Sequence, residues 1–219
     1  VAVGLSCVGP LNNETGTLLD PPDFYGIQDW PLAPLLGERI GLKCYLIHDT
    51  NAGALAEKLY GQEMGTRNFV YVQIMKGIGA GFVLNHRLYQ GRSGQSGEIG
   101  HSTVNYAGPK CACGNVGCLE LYANVERMNR LISQMRNGVL MSQSPFAQDK
   151  SYSFEEIVAG AGWGDAYAIA AVNDFCEYLS VALTNVVKLF DIGDIVVGYR
   201  LDDAPAFLER SLGSALKRR

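Results

Sequence analysis

No uninterrupted apolar stretch in these 219 residues approaches the roughly eighteen that a membrane-spanning helix requires, so the chain is read as soluble. Basic charge is also scarce. Lys and Arg number 18 against 22 Asp and Glu, a net charge of −4, and no Lys/Arg stripe runs through the sequence. Such a chain does not grip phosphates along a duplex by itself, and the terminal Lys217-Arg218-Arg219 is too short to change that. The opening VAVGLSCVGP lacks the positive flank and cleavage site of a secretory signal. The six cysteines are therefore expected as thiols in the cytoplasm rather than as disulfides. Internal repeats and low-complexity tracts are absent as well.

What is present is ample material for a core: 47% of the residues are hydrophobic, enough for one large domain or two small ones. Val1 to Val8 alternates as a strand and stops at Gly9-Pro10, and LNNETG follows with turn chemistry. Because Val1 opens in mid-strand pattern, the N-terminal part of the fold is expected to be missing. Leu32, Leu35, Leu36 and Ile40 recur at helical spacing until Gly41, and KCYLIHD then reads as a short buried strand. Thr50-Asn51 is a candidate cap for a helix that Gly61 ends, which places His48 and Asp49 where a strand's carboxyl end meets a helix start. Ligands bind at such places in open α/β sheets.

Residues 62–68 form a polar connector, and the domain boundary is placed there, dividing 1–66 from 67–219. FVYVQIM, GAGFVLN and HRLYQG read as successive strands joined by glycine turns. Helical spacing returns over Glu126–Asn137 and again over Asp165–Phe190, the latter long enough for two helices or one. The stretch 143–153, QSPFAQDKSYS, reads as an exposed loop. DIVVG supplies a last strand, and APAFLERSLGSALKRR a closing helix.

The densest chemistry lies in HSTVNYAGPKCACGNVGCLE, beginning at His101. His101, Cys111, Cys113 and Cys118 offer one nitrogen and three sulfurs, the donor set of a closed tetrahedral zinc site. Gly114 and Gly117 give the intervening chain the freedom to turn so that the sulfurs converge. The alternative, three unrelated thiols in a core, fits poorly with neighbours such as Gly, Asn and Lys. With no open position the metal is structural, fixing the loop and what the loop presents. Glu98 lies three residues before the histidine, and Glu120 two after the last cysteine. Both are candidates to accept hydrogen bonds from sugar hydroxyls; the alternative for either is a solvated surface charge. Cys7, Cys44 and Cys176 stand apart and are read as core residues.

GEIGH at 97–101, CACGNVGCLE at 111–120 and HDTNAGALAE at 48–57 together resemble the ROK family of sugar kinases, repressors and related reading frames. The likeness runs through nearly the whole chain. It implies an α/β, actin-like (ribonuclease H-like) sugar kinase fold of two lobes, with 1–66 the remainder of the small lobe and 67–219 the large lobe carrying the knuckle. It also implies that Glu98, His101 and Glu120 contact sugar, and that Asp49 matches the aspartate that serves kinase members as base on the sugar hydroxyl.

Kinase members need loops that cradle phosphate. Where they carry Gly-Thr-Gly, this chain has Met75-Lys76-Gly77 before IGAG; Lys76, Gly77 and Gly79 remain as candidate nucleotide contacts, Lys76 as a point charge. Where the family has a run of glycines beside adenosine, DIVVG is followed by Tyr199-Arg200, whose side chains would crowd a nucleotide. His48 replaces the Asn common in kinase members and, with Asp49, resembles some glucose-responsive repressors; the alternative is that His48 only packs or caps locally. These departures favour the sugar-sensing domain of a ROK transcriptional regulator, most like those of the NagC, XylR and Mlc type. Sugar would engage His48, Asp49, Glu98, His101 and Glu120 and bias lobe closure. DNA would be met only through a helix-turn-helix not found in this chain, and the resemblance implies a homodimer or homotetramer.

The competing enzyme reading is a hexose or N-acetylhexosamine kinase using Mg-ATP with Asp49 as base. A third reading is a zinc-dependent interaction module that binds no sugar. Gly77, Gly79 and Gly81 do not make a dinucleotide fingerprint, because G-x-G-x-G lacks the required G-x-G-x-x-G spacing.

Overall fold

The computed structural model describes residues 1–21, 25–75, 77–92, 94, 96–136, 144–199 and 205–219. Two compact units are present. One comprises Val1–Gln73, Gly79–Glu98 and Ile192–Gly198; the other comprises Ile74–Ile78, Ile99–Asp191 and Tyr199–Arg219. Among the described residues no helix is long and apolar enough to cross a membrane.

In the first unit, strand β1 (Ala2–Cys7) pairs in parallel with a later strand, Lys43–His48, in a register that sets Cys7 opposite His48. The LNNETG turn sits between two very short strands, β2 (Leu11–Asn12) and β3 (Thr17–Leu18). Asn12 makes that turn itself, its Oδ1 accepting the backbone N–H groups of Glu14 and Thr15 at 2.9 and 3.1 Å. Helix α1 (Leu32–Ile40) starts directly after Pro31 and ends where Gly41 takes a left-handed conformation and donates its N–H to Gly37. The strand Lys43–His48 is β4. Leu11, Leu18, Ala33 and Leu46 form the core here, with Cys7 and Cys44 packed against it but only half-buried.

Helix α2 (Asp49–Tyr60) begins at least two residues earlier than Thr50-Asn51 capping implies. His48 occupies the cap position without capping by its side chain, and the Asp49 carboxylate accepts the Thr50 N–H at 2.8 Å, a negative charge at the positive end of the helix. Thr50 and Asn51 are consequently drawn into the first turn and buried.

Strands β5 (Phe69–Ile74), β6 (Ile78–Leu84), β7 (Arg87–Tyr89) and β8 (Asp194–Tyr199) form a sheet in the order β7-β6-β5-β8. Ala54, Phe69 and Val83 make a second small core between α2 and this sheet. The approach is close because Gly79 and Gly81 carry no side chain. A Cβ on Gly79 would lie 2.6 Å from the Thr50 methyl, and one on Gly81 would lie 2.4 Å from the Thr50 carbonyl oxygen.

The second unit is helical around the loop that carries His101, Cys111, Cys113 and Cys118. Helices α3 (Val125–Arg136), α4 (Phe154–Gly162), α5 (Ala166–Phe190) and α6 (Pro205–Lys217) pack together, with α5 touching the other three. The apolar run 166–190 is one helix, capped by Asp165, whose carboxylate accepts the N–H groups of Tyr167 and Ala168. The described part of the expected exposed loop, 144–153, is better ordered than its composition suggests. Phe146 and Tyr152 are buried and their rings meet at 4.5 Å. Cys176 is buried in α5.

Candidate functional site

Chemistry-bearing side chains gather into one cluster in each unit. In the first, His48 is buried at the end of β4, between two carboxylates. Its Nδ1 lies 3.1 Å from Asp49 Oδ1 and 2.7 Å from Thr50 Oγ1, and its Nε2 lies 3.3 Å from Glu98 Oε1. Burial disfavours the charged ring, yet the hydrogen bond to Glu98 and the charges of Asp49 and Glu98 outweigh it, and the His48 pKa is raised. The second oxygen of Asp49 accepts a hydrogen bond from Gln73 Nε2 at 3.1 Å. His48, Asp49 and Glu98 are thus brought together, with Thr50 and Gln73 holding the first two.

Two glycines make that geometry possible. Gly9 lies against the imidazole, where a Cβ would sit 2.7 Å from both Cδ2 and Nε2. Gly97, directly before Glu98, has φ of +99°, and a Cβ there would lie 1.7 Å from the Ala80 carbonyl oxygen. No residue with a side chain tolerates both constraints. Asn51, two residues beyond Asp49, is buried with neither amide atom hydrogen-bonded within the chain.

In the second unit His101, Cys111, Cys113 and Cys118 offer one ligand atom each, all within 4.8 Å of one another. Cys113 Sγ and Cys118 Sγ are 3.7 Å apart, and Cys111 Sγ is 3.8 Å from His101 Nδ1. Two atoms bound at about 2.3 Å at tetrahedral corners lie about 3.8 Å apart, so both donor set and spacing fit a zinc-sized ion. The charge balance agrees. Burial, then the neighbouring Cys111 and Cys113 sulfurs, push the Cys118 thiol up to about 12, while the Asn115 N–H and the adjacent cysteines lower that of Cys113. A bound cation would favour the thiolate form of such crowded sulfurs. Gly117 has φ of +65°, and a Cβ on it would lie 1.7 Å from the Asn105 carbonyl oxygen, so the loop closes only with glycine at this position.

With Nδ1 turned toward the sulfurs, His101 Nε2 faces Glu120 Oε2 at 3.8 Å, an electrostatic rather than hydrogen-bonding separation. Gly77 lies against the same carboxylate, 3.5 Å from where its Cβ would be to Glu120 Oε1. Gly79 packs on Thr50 as described, and Lys76 lies outside the described residues.

Reading by motif missed Gly9, Thr50 and Gln73. Gln73 carried a signal, as the one amide in the otherwise apolar strand FVYVQI; the role of Gly9 depends on the packing of β1 beside β4 and left none, and Thr50, two residues from His48, was read only as a helix cap.

Across residues 1–219 the sequence matches the ROK family. The chain belongs to that family. It is 28% identical over its whole length to the xylose repressor of Bacillus subtilis and 29% identical over 99% of its length to the DNA-binding transcriptional dual regulator NagC of Escherichia coli. It spans about half of each of these curated relatives, 53% and 52% respectively. Among solved structures, a ROK family transcriptional regulator homologous to the E. coli Mlc protein superposes with a TM-score of 0.87 at 32% identity, over 99% of this chain and 54% of that one. A ROK family glucokinase from Streptomyces griseus, solved with glucose and AMPPNP, gives 0.84 at 25% identity, over 99% of this chain and 71% of that one. The fold of this ROK chain is accordingly the actin-like α/β fold, and the relatives include both repressors and kinases.

Proposed function

We propose that this chain is the sugar-sensing part of a ROK transcriptional regulator. Its ligand is a hexose or a derivative, with hydroxyls met by His48, Asp49, Glu98, His101 and Glu120. A structural zinc on His101, Cys111, Cys113 and Cys118 fixes the loop that leads to Glu120, and residues 1–66 and 67–219 serve as the small and large lobes. DNA is contacted through a separate domain. The likeness to repressors along the entire chain is the observation that carries this reading.

A general base needs a lone pair directed at the proton it takes. Both oxygens of Asp49 already accept hydrogen bonds, Oδ1 from the Thr50 N–H with His48 alongside, and Oδ2 from Gln73. Each oxygen keeps a second lone pair, so these bonds orient the carboxylate toward a hydroxyl in the sensor and the kinase reading alike. Sugar then acts by binding one conformational state of the regulator more tightly than another.

A kinase reading has its own support in the glucokinase likeness, and it assigns Asp49 as base and Mg-ATP as phosphoryl donor, with Lys76, Gly77 and Gly79 as nucleotide contacts. One experiment separates the two. Calorimetry with D-xylose, D-glucose and N-acetyl-D-glucosamine should give saturable binding of at least one, and Asp49→Asn should weaken it at least tenfold. An ATP-coupled assay on the same sugars should give no turnover. Turnover that disappears in Asp49→Asn establishes the kinase instead, and zinc-loaded protein that binds no sugar removes both readings in favour of an interaction module.

A further inference from the structure

Glu120 leaves the His101–Cys118 loop only two residues after Cys118, so a metal on the four donors would hold its N-terminal side. What holds the other side is a network centred on Arg127. Asn124 Nδ2 donates to the Glu120 carbonyl oxygen, and Asn124 Oδ1 accepts the Arg127 N–H at 2.7 Å, so one side chain both grips the Glu120 backbone and starts α3. The Arg127 guanidinium makes a two-pronged pair with Asp174 of α5, Nε to Oδ2 at 2.6 Å and Nη2 to Oδ1 at 3.0 Å. It also lies over the rings of Tyr122 and Tyr178, at 5.3 and 4.9 Å from their centroids, and those rings stack on each other at 4.4 Å. Tyr122 reaches back into the loop, its hydroxyl accepting from Asn105 Nδ2 at 3.0 Å. Gly108 lies beneath that hydroxyl, 2.2 Å from it if a Cβ were present.

These contacts form a continuous path from α5, the helix that touches the other three, to the backbone on which Glu120 stands. Arg127 is its junction, because its planar guanidinium pairs with a carboxylate through two donors while lying beside the stacked pair of tyrosine rings. We propose that Arg127 is a positioning residue for Glu120, a second anchor that acts independently of the metal and sets the carboxylate for its ligand. The part of this that concerns sugar rests on the function proposed above; the part that concerns Glu120 does not.

The test is a double-mutant cycle on metal-loaded protein, comparing wild type, Arg127→Met, Glu120→Gln and the pair. Sugar affinity is read by calorimetry with D-xylose, D-glucose and N-acetyl-D-glucosamine, and metal content by elemental analysis. Arg127→Met should weaken binding of the recognised sugar at least tenfold while metal stays at one equivalent. In the Glu120→Gln background the same change should cost less than twofold, since the group it positions is already lost. Equal losses in both backgrounds reduce Arg127 to a general structural role and overturn the proposal.

Arg127→Lys keeps a cation beside Asp174 but loses the planar stack, and it should fall between wild type and Arg127→Met. It also serves where Arg127→Met does not fold. Amide hydrogen exchange decides the matter without any sugar. Exchange at Leu121, Tyr122 and Ala123, whose N–H groups bond to Cys118 and Leu119, should quicken at least tenfold in the Arg127 variants, with Cys111 and Gly114 in the metal loop unchanged. If wild-type protein binds none of the three sugars, the function proposed above fails, and quickened exchange at 121–123 still supports the anchor while unchanged exchange refutes it.

Discussion

His48 is where a single residue departs most visibly from a kinase-like pattern, and its surroundings give that departure a measurable consequence. The ring faces Asp49 on its own chain segment, Glu98 from the segment after Gly97 and the Thr50 hydroxyl, and Cys7 is its partner in the β1–β4 register. Two carboxylates raise its pKa above the ordinary value near 6.5 despite burial. A folded-state pKa above the unfolded one means that the folded chain binds the proton more tightly. The stability this contributes is present in full below about pH 6.5 and is lost as pH rises through the raised value. Urea midpoints measured from pH 5.5 to 8.5 should therefore fall across that window, and His48→Asn should flatten the slope. A wild-type slope of the opposite sign, or one that survives in His48→Asn, contradicts the bridging geometry. The same residue shows what a sequence conveys about a site and what it does not. His48 and Asp49 were identifiable because they adjoin each other at a strand's end. The near contact with Gly9 and the hydrogen bond from Gln73 join residues distant in the chain, and only the sheet registers bring them there.

At the scale of elements, legibility followed local chemistry. Helices α1, α3, α5 and α6 announced themselves by periodicity, and β1, β4, β5 and β6 by apolar runs bounded by glycine or turns. The clustering of His101, Cys111, Cys113 and Cys118 was legible because their close spacing in sequence is itself a local constraint. Helix α4 went unread although its start signal is explicit in S-F-E-E at 153–156. The Ser153 hydroxyl accepts the Glu156 N–H at 3.1 Å, and the Glu156 carboxylate accepts the Ser153 N–H at 2.7 Å. What obscured it was composition, since the helix is short, rich in Ala and Gly, and follows a polar stretch. The box is exposed and isolated from either candidate site, so its energetics are those of a cap alone. Ser153→Ala should cost about 1 kcal/mol of unfolding free energy, measured by urea denaturation, and leave metal content and sugar binding unchanged. A loss of several kcal/mol, or of metal, means that α4 is coupled to the site in a way its contacts do not suggest.

For the whole molecule, the main question is whether a metal on His101, Cys111, Cys113 and Cys118 would support the fold or only the site. The contacts bear on this directly. The helical packing of α3, α4, α5 and α6 uses buried side chains such as Met128, Ile132, Ile157, Leu179 and Leu208, none of which is a metal ligand, and the first unit has separate cores of its own. The four ligands sit in a loop that carries little apolar burial beyond Cys118 and Leu119. Stripping the metal should therefore leave most of the helical content, read by circular dichroism, while releasing the loop that precedes Glu120. Ligand linkage then gives a quantitative readout, since a sugar at a hundredfold over its Kd stabilises the folded state by about 2.7 kcal/mol. That stabilisation should appear in the thermal transition of metal-loaded protein, vanish after chelation and return on adding zinc. Cys113→Ser should behave as the chelated protein does, because an exposed ligand can be removed without disturbing packing. If chelated protein unfolds outright, the metal belongs to the fold; if it keeps its helices and its sugar-induced shift, Glu120 needs no metal and the Arg127 anchor alone holds it.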